Sequence, residues 1–180
     1  PSIPAVGPVN APGRSSAGRV PGGLLAREAS PVDPSMVLQS EEAYGVVLYP
    51  TNELVHFPDI NAPGAWNVVA GGTASFYAGD FLLGDFSQLY IIDDVNNFFT
   101  LDTATGMQTA IGTSTPVGAE SWTGMTGAAD GTLYASSAAC GVSSTLYTID
   151  PGSGAASPIG PITGATCIID IAINPAGELY

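Results

Sequence analysis

The 180-residue sequence contains no lysine, and its only arginines are Arg14, Arg19 and Arg27. Sixteen acidic residues against three basic ones give a formal net charge of −13. This charge repels nucleic-acid phosphates and anionic lipid headgroups, so we expect neither nucleic acid nor an anionic membrane surface as a partner. Without lysine, Schiff-base chemistry and the phosphate-binding lysine of a P-loop are excluded. No apolar run approaches the ~20 residues of a membrane-spanning helix, so we expect no membrane span.

Residues 41–180 contain no permanent cation at all. Two of the sixteen acidic residues, Glu28 and Asp33, precede this stretch, which leaves fourteen carboxylates within it. No Lys or Arg salt bridge can form there, so stability must come from apolar burial, backbone hydrogen bonds and, as one option, bound calcium. This acidic composition favours a secreted or cell-surface location. The sequence begins at a proline without a signal-peptide pattern, so we expect any such peptide to have been removed or left out.

The sequence is also poor in catalytic residue types. His56 is its only histidine, and no G-x-S-x-G or comparable nucleophile motif accompanies it. Neither of the two cysteines, Cys140 and Cys167, lies in a C-x-x-C motif or beside a basic residue. We therefore predict no catalytic residue and no cofactor other than the calcium option.

Residues 1–40 hold seven of the fifteen prolines and show no regular apolar period. Proline fixes φ and removes a backbone donor, so we predict an extended Pro/Gly-rich tail. Such a tail is a linker, or it docks on its own domain, on a neighbouring subunit or on a partner's sheet edge.

The remainder of the chain repeats itself about every 45 residues. Leu-Tyr pairs recur at positions 89–90, 133–134 and 179–180. The segment FFTLDTATG at 98–106 returns as LYTIDPGSG at 146–154, and a weaker copy begins with VVLYPTNELVHFPD at 46–59. Alternating apolar residues, as in CIIDIAI at 167–173, predict four short strands per unit with Asp-x-x-x-Gly turns and little or no helix.

Four strands per ~40–45 residues is the period of a β-propeller blade. The LYTIDPGSG turn, with GTLY and GELY, resembles the propeller-like repeats of secreted and cell-surface bacterial proteins over about residues 42–180. This resemblance implies a scaffold outside the cytoplasm and transfers no catalytic residue. We therefore predict an all-β fold, a partial β-propeller of four-stranded antiparallel blades preceded by the extended tail. Residues 41–180 hold about three blades, whereas closed propellers use ~4–8, so we expect part of a larger propeller.

Four carboxylates are weak candidates for a metal or ligand site. Asp80 and Asp170 each lie nine residues before a Leu-Tyr leucine, as Gly124 does in the middle unit. They either face a central channel and bind a cation or a sugar hydroxyl, or accept hydrogen bonds from the backbone of the next blade. Asp93 and Asp94 precede two asparagines and offer oxygen ligands for calcium without matching EF-hand spacing. Their alternative is a plain solvated hairpin.

The two cysteines fall in neighbouring repeat units. Cys140 lies in a hairpin loop, and Cys167 lies on the first strand of the next unit. An even cysteine count outside the cytosol predicts a disulfide that joins adjacent blades. The alternative is two buried apolar side chains.

Three functions fit these patterns. The leading hypothesis is a non-catalytic extracellular scaffold, an assembly or adhesion subunit that makes protein–protein contacts through its tail or exposed blade edges, including self-assembly. The second is a glycan-binding or accessory propeller domain of a secreted hydrolase, with Asp80 and Asp170 as the first carboxylates to test. The third is a calcium-stabilised domain, which a melting curve with and without chelator would test.

Overall fold

The computed structural model describes residues 41–71, 75–174 and 176–180. These residues form eleven β-strands in three antiparallel sheets, so the predicted all-β class is confirmed. The tail predicted for residues 1–40 lies outside the described residues. Within the described part of the chain, no helix has the length and apolar character to cross a membrane.

Sheet 1 has three strands and sheets 2 and 3 have four each, with consecutive strands adjacent. The strands of sheet 1 are β1 (Ala43–Val47), β2 (Glu53–Phe57) and β3 (Asn67–Gly71). Those of sheet 2 are β4 (Phe76–Leu82), β5 (Asp85–Asp93), β6 (Asn97–Asp102) and β7 (Gln108–Thr113). Those of sheet 3 are β8 (Ser121–Gly127), β9 (Leu133–Ala139), β10 (Ser143–Ile149) and β11 (Ala156–Pro161).

The three sheets pack side by side, and sheet 2 contributes to two cores. Neighbouring β6 residues Phe98 and Phe99 enter different cores, because side chains alternate between the faces of a strand. Phe98 packs with residues of sheet 3, among them Trp122 and Tyr147. Phe99 packs with Leu54 of sheet 1. Apolar residues on both faces of the middle sheet therefore hold the three sheets together.

The chain ends in a hairpin that repeats the turn between β8 and β9. Ala172 and Tyr180 exchange two backbone hydrogen bonds, and Ile173 pairs with Leu179 as Gly127 pairs with Leu133 one repeat earlier. The strand predicted over 167–173 is therefore wrong except at its end. Among the described residues only 178–180 pair with this segment through backbone hydrogen bonds, and without a paired neighbour along its length an extended segment is not a regular strand.

Candidate functional site

A cavity of about 420 Å³ lies where sheets 1, 2 and 3 approach one another. Side chains of β1, β4 and β8 line it, together with Ile169 and Asp170. Asp80 and Gly124 also lie on its wall, so the three positions that the sequence aligned meet at one cavity. Its volume falls in the ~300–1,000 Å³ range of small-molecule sites.

Asp80 connects two sheets through its carboxylate. One oxygen, Oδ1, accepts a hydrogen bond from the backbone N–H of Phe81 over 2.8 Å. The other, Oδ2, accepts from the backbone N–H of Gly127 on β8 over 2.9 Å. Both oxygens of this half-buried group are thus used by backbone donors, which is the structural role considered for it in the sequence.

The strand register shows which residue is equivalent to Asp80. Asp80 pairs with Tyr90, and on sheet 3 it is Thr126 that pairs with Tyr134. The sequence alignment of Asp80 with Gly124 is therefore wrong by two residues. The alignment counts back from the leucine of each Leu-Tyr pair, but the connections that it crosses differ in length. The paired residues Phe81 and Leu89 are eight positions apart in sheet 2, whereas Gly127 and Leu133 are six positions apart in sheet 3.

Asp170 is the exposed carboxylate of this cavity. Its Oδ1 accepts from the Ile171 backbone N–H over 2.8 Å. The Asp170 backbone lies against Gly124, where an added Cβ would stand 2.7 Å from the Asp170 Cα. Cβ atoms in proteins essentially never approach another atom this closely, so the packing of the Asp170 backbone against β8 requires glycine at position 124. Tyr77, 43% exposed, adds a phenol ring to the same wall.

Asp93 and Asp94 have different environments. Asp93 is only 3% exposed, and its carboxylate accepts from the backbone N–H groups of Val95 and Asn97 and from the Asn97 side-chain amide, all at 2.8–3.0 Å. The solvated-hairpin interpretation is therefore wrong for Asp93, because its carboxylate is buried inside the turn that it shapes. Asp94 is exposed and accepts from the Ser75 N–H over 3.3 Å.

No three His, Cys, Asp or Glu side chains within 41–71, 75–174 and 176–180 come together as a metal-binding group. Calcium binding stays a prediction for the chelator experiment. The single histidine, His56 on β2, lies 3.1 Å from the Glu42 carboxylate and stacks on the Tyr44 ring at 4.8 Å.

Glu120 forms a polar site that the sequence did not indicate. Its Oε1 accepts from the hydroxyls of Ser143 and Thr145 at 2.5 and 3.1 Å. Its Oε2 accepts from those of Ser137 and Tyr147 at 2.5 and 3.5 Å. Burial alone would raise the pKa of Glu120, but these four hydrogen bonds outweigh it and lower the pKa.

A carboxylate so fully occupied by donors is held ionised and has no free lone pair directed at a substrate. The same network continues inward, because the Tyr147 hydroxyl accepts from the Val117 backbone N–H over 3.0 Å. Glu120 therefore fastens the segment before β8 to strands β9 and β10. Its partners lie 17 to 27 residues away in sequence, too far for any local motif to reveal.

Cys140 and Cys167 form the disulfide that the sequence predicted. Cys140 follows β9, and Cys167 lies in the segment that leads to the terminal hairpin. Two hydrogen bonds flank the disulfide. The Gly141 N–H donates to the Thr166 carbonyl oxygen over 3.0 Å, and the Ile168 N–H donates to Ser144 Oγ over 3.1 Å. The disulfide thus joins sheet 3 to the unit that follows it.

No family model matches this sequence, and no curated protein is similar to it. Among solved structures, one described as YCF48 bound to a D1 peptide superposes with a TM-score of 0.47 and 16% identity. The match covers 77% of this chain and 41% of that one. This chain thus spans less than half the length of the YCF48 chain.

Proposed function

We propose that this chain is a non-catalytic extracellular scaffold of the β-propeller type, an assembly or adhesion subunit whose three sheets are blades. The proposal keeps the resemblance to the repeats of secreted and cell-surface bacterial proteins. The disulfide fits this location, because such bonds persist in oxidising compartments.

The proposal is carried by one contact that recurs between successive repeat units. In this contact, which we call the joint, a side-chain oxygen accepts a hydrogen bond from a backbone N–H of the following unit. The Gly127 backbone N–H is bound by Asp80 of the preceding sheet, and the Ile173 N–H, one repeat later, is bound by Thr126 Oγ1 over 3.2 Å. Asp80 and Thr126 themselves occupy equivalent register positions in sheets 2 and 3. Because the joint recurs with the period of the sequence, it supports an arrangement in which equivalent blades are related by rotation about one axis.

A second contact recurs at the turns between third and fourth strands. An added Cβ at Gly106 would meet the Val69 carbonyl oxygen of sheet 1 at 2.5 Å. At Gly154, the equivalent glycine of the next turn, it would stand 3.0 Å from the Phe98 Cβ of sheet 2. In each turn, therefore, the glycine packs directly against the preceding sheet, as expected for blades that pack side by side in the same way.

Exposed apolar side chains give such a scaffold surfaces for partners. Val95 in the β5–β6 connection is 63% exposed, and Val142 in the equivalent β9–β10 connection is 76% exposed. Tyr49, between β1 and β2, is 88% exposed. Loops commonly carry binding residues, and aromatic side chains such as Tyr49 are enriched in protein–protein interfaces.

The test is binding of the folded, fluorescently labelled chain to intact cells and cell-wall fractions of the producing organism. We expect saturable binding measured by flow cytometry, lost when the chain is reduced and denatured before mixing. Absence of saturable binding would overturn the scaffold function. Turnover of chromogenic glycosides or peptides by the purified chain would overturn its non-catalytic character.

Glycan binding is the second candidate, and the cavity favours it. The exposed carboxylate of Asp170 can accept from sugar hydroxyls, and Tyr77 offers a ring for stacking. Because residues 41–180 contain no Lys or Arg, the ligand would be neutral rather than anionic. A glycan array read with the native chain and with Asp170→Asn tests this, and Asp94→Asn is a matched exposed control outside the cavity. Equal signals from both variants would exclude the cavity as the site.

A further inference from the structure

The turn between β4 and β5 places a leucine where the backbone favours other residues. Leu82 pairs with Asp85 across this turn. The two residues between them, Leu83 and Gly84, both have a positive φ, of 56° and 72°. Such a type I′ hairpin turn normally contains Asn or Asp before Gly, because a bulky side chain is strained at positive φ. Leu83 is also 66% exposed, and residues in such rarely populated conformations cluster at functional sites.

Leu83 belongs to an apolar surface formed by the turns of successive repeat units. A Cβ on Gly131, in the β8–β9 connection, would stand 3.6 Å from the Leu83 side chain. A cavity of about 370 Å³ lies between these two turns, and no charged side chain of the described residues lines it. Phe86, 62% exposed, adds an aromatic ring whose centroid lies 4.9 Å from that of Phe81 in the cavity wall. We call Leu83, Phe86 and this cavity the turn patch.

The arrangement of the repeats leaves the turn patch open to partners. Sheet 3 packs beside sheet 2, so its Gly131 turn lies beside the Leu83 turn. The terminal hairpin follows sheet 3 in the same way, through the joint that Thr126 forms with Ile173. A further sheet after the terminal hairpin would therefore extend this row of turns sideways and would not lie over their tips.

Two carboxylates that flank the turn patch are held ionised. Asp85 lines one shallow cavity together with Leu83 and accepts from the Ser87 hydroxyl and backbone N–H at 2.6 and 2.9 Å. Asp130, in the neighbouring turn, accepts from the Thr132 backbone N–H over 2.9 Å. These hydrogen bonds lower the pKa of both carboxyl groups. The three sheets contain no Lys or Arg, so no permanent cation within them neutralises this charge.

We propose that the turn patch binds a basic peptide segment of a partner protein, in which an apolar side chain lies next to Lys or Arg. The apolar side chain contacts Leu83 and Phe86, and the cations lie against Asp85 and Asp130. Charge complementarity selects this partner, because the two carboxylates repel an acidic segment and add nothing to the binding of a neutral one. The inference gives the proposed scaffold function one partner and rests on it.

Selection of random peptides displayed on phage, with the disulfide-bonded chain as bait, tests the inference. We expect enrichment of peptides in which Lys or Arg neighbours an aliphatic or aromatic residue. A fluorescein-labelled copy of the most enriched peptide then gives dissociation constants by fluorescence anisotropy. Enrichment of peptides without cations, or no enrichment above an uncoated surface, would overturn the inference.

The variant Leu83→Asn separates binding from folding. Asn is favoured at positive φ before Gly, so the thermal midpoint of this variant should equal or exceed that of the native chain. Its affinity for the peptide should fall at least ~10-fold, because the apolar contact is lost. Ile60→Asn is the matched control, since Ile60 is a 44% exposed aliphatic residue in the β2–β3 connection of sheet 1 and should not affect binding. Equal affinities of Leu83→Asn and Ile60→Asn would overturn the inference.

The variant Asp85→Asn tests the contribution of charge. Its side-chain carbonyl still accepts from Ser87, so the turn is retained. Affinity should fall about 2–5-fold at ~0.1 M salt, and the difference from the native chain should vanish at ~1 M salt. Asp94→Asn is the matched control, because this exposed carboxylate follows the opposite end of β5, roughly 30 Å away along nine residues and beyond the screening length of ~10 Å. If both variants bind the peptide as the native chain does at ~0.1 M salt, the cationic character of the partner is wrong.

Failure of this inference is distinguishable from failure of the scaffold function. A chain that binds cells but selects no basic peptide loses only the turn patch as a binding surface. A chain that binds basic peptides through Leu83 but does not bind cells loses the adhesion function instead.

Discussion

The Asp80 carboxylate on β4 accepts a hydrogen bond from the Gly127 backbone N–H on β8, 2.9 Å away and 47 residues later in the chain. The approach is close on the backbone side as well, since a Cβ at Gly127 would collide with the Phe81 carbonyl oxygen. An acid on sheet 2 and a glycine on sheet 3 therefore form this joint, and position 127 has no room for a Cβ. The joint also fixes the register of sheet 3 against sheet 2.

Removal of this carboxylate should destabilise the fold. In Asp80→Ala the Gly127 N–H loses its acceptor, and an unsatisfied, partly buried backbone donor costs about 1–3 kcal/mol. Urea denaturation measures the loss. Asp80→Asn retains a carbonyl acceptor and should recover part of it.

Asp170→Ala is the control for this prediction, because that carboxylate is exposed and accepts only from the adjacent Ile171 N–H among the described residues. Its expected effect is within about 0.5 kcal/mol. Equal losses in the two alanine variants would show that the bond between the sheets contributes nothing.

Gly112 on β7 provides a second test of close sheet packing. A Cβ at this position would collide with the Ser153 carbonyl oxygen in the turn of sheet 3. Gly112→Ala should therefore cost about 1–3 kcal/mol, because one of the two backbones must move. Gly71→Ala on β3 is the matched control, since among the described residues its Cβ would meet only the Glu53 side chain, at an ordinary 3.9 Å. A Gly112→Ala variant as stable as Gly71→Ala would contradict the observed packing.

Much of the strand pattern follows from local residue chemistry. The Asp102 carboxylate accepts from the backbone N–H groups of Ala104 and Thr105, and Gly106 has a φ of 72°. An Asp-x-x-x-Gly turn is formed by these few residues alone, so it is recognisable in sequence wherever it recurs. The same holds for the alternation of Phe98 and Phe99, which sends one ring to each core.

The candidate site was less predictable, because it depends on how sheets meet. Asp80 and Gly127 come together only after the connection lengths set the register of β4 and β8. Glu120 acquires its role from hydroxyls on two later strands, and Ser and Thr there look like ordinary strand residues in sequence. The burial of Asp93 follows from its own turn, whereas the DDVNN segment at 93–97 predicts a solvated hairpin because four of its five residues are polar.

Acid should weaken the fold through Glu120. Its pKa is lowered in the folded chain, so its contribution is complete above the ordinary glutamate pKa and is lost as pH falls through the folded value. At neutral pH, Glu120→Gln should be less stable by about 1 kcal/mol, a figure reduced for the partial exposure of the carboxylate. The difference in the free energy of unfolding between the native chain and the variant should shrink as the pH drops below about 4.5.

Urea denaturation at a series of pH values measures this difference. Comparison with the variant isolates Glu120 from Asp102 and Asp130, whose pKa values are also lowered by hydrogen bonds within their own turns, chiefly from Thr105 and Thr132. If the free energies of unfolding of the native chain and Glu120→Gln differ by the same amount over the whole pH range, the pH-dependent contribution assigned to Glu120 is wrong.

The disulfide should contribute strongly to stability. Cys140 and Cys167 close a loop with a sequence separation of 27, for which the chain-entropy model gives about 3–4 kcal/mol. The double variant Cys140→Ser, Cys167→Ser should therefore unfold at a clearly lower temperature, and reductant should bring the native chain down to the same midpoint while leaving the variant unchanged. Hydrogen exchange should locate the change, because the Gly141 and Ile168 N–H groups beside the bond lose protection first. If thiol titration shows full reduction and the midpoint does not fall, the disulfide does not hold the terminal hairpin to sheet 3.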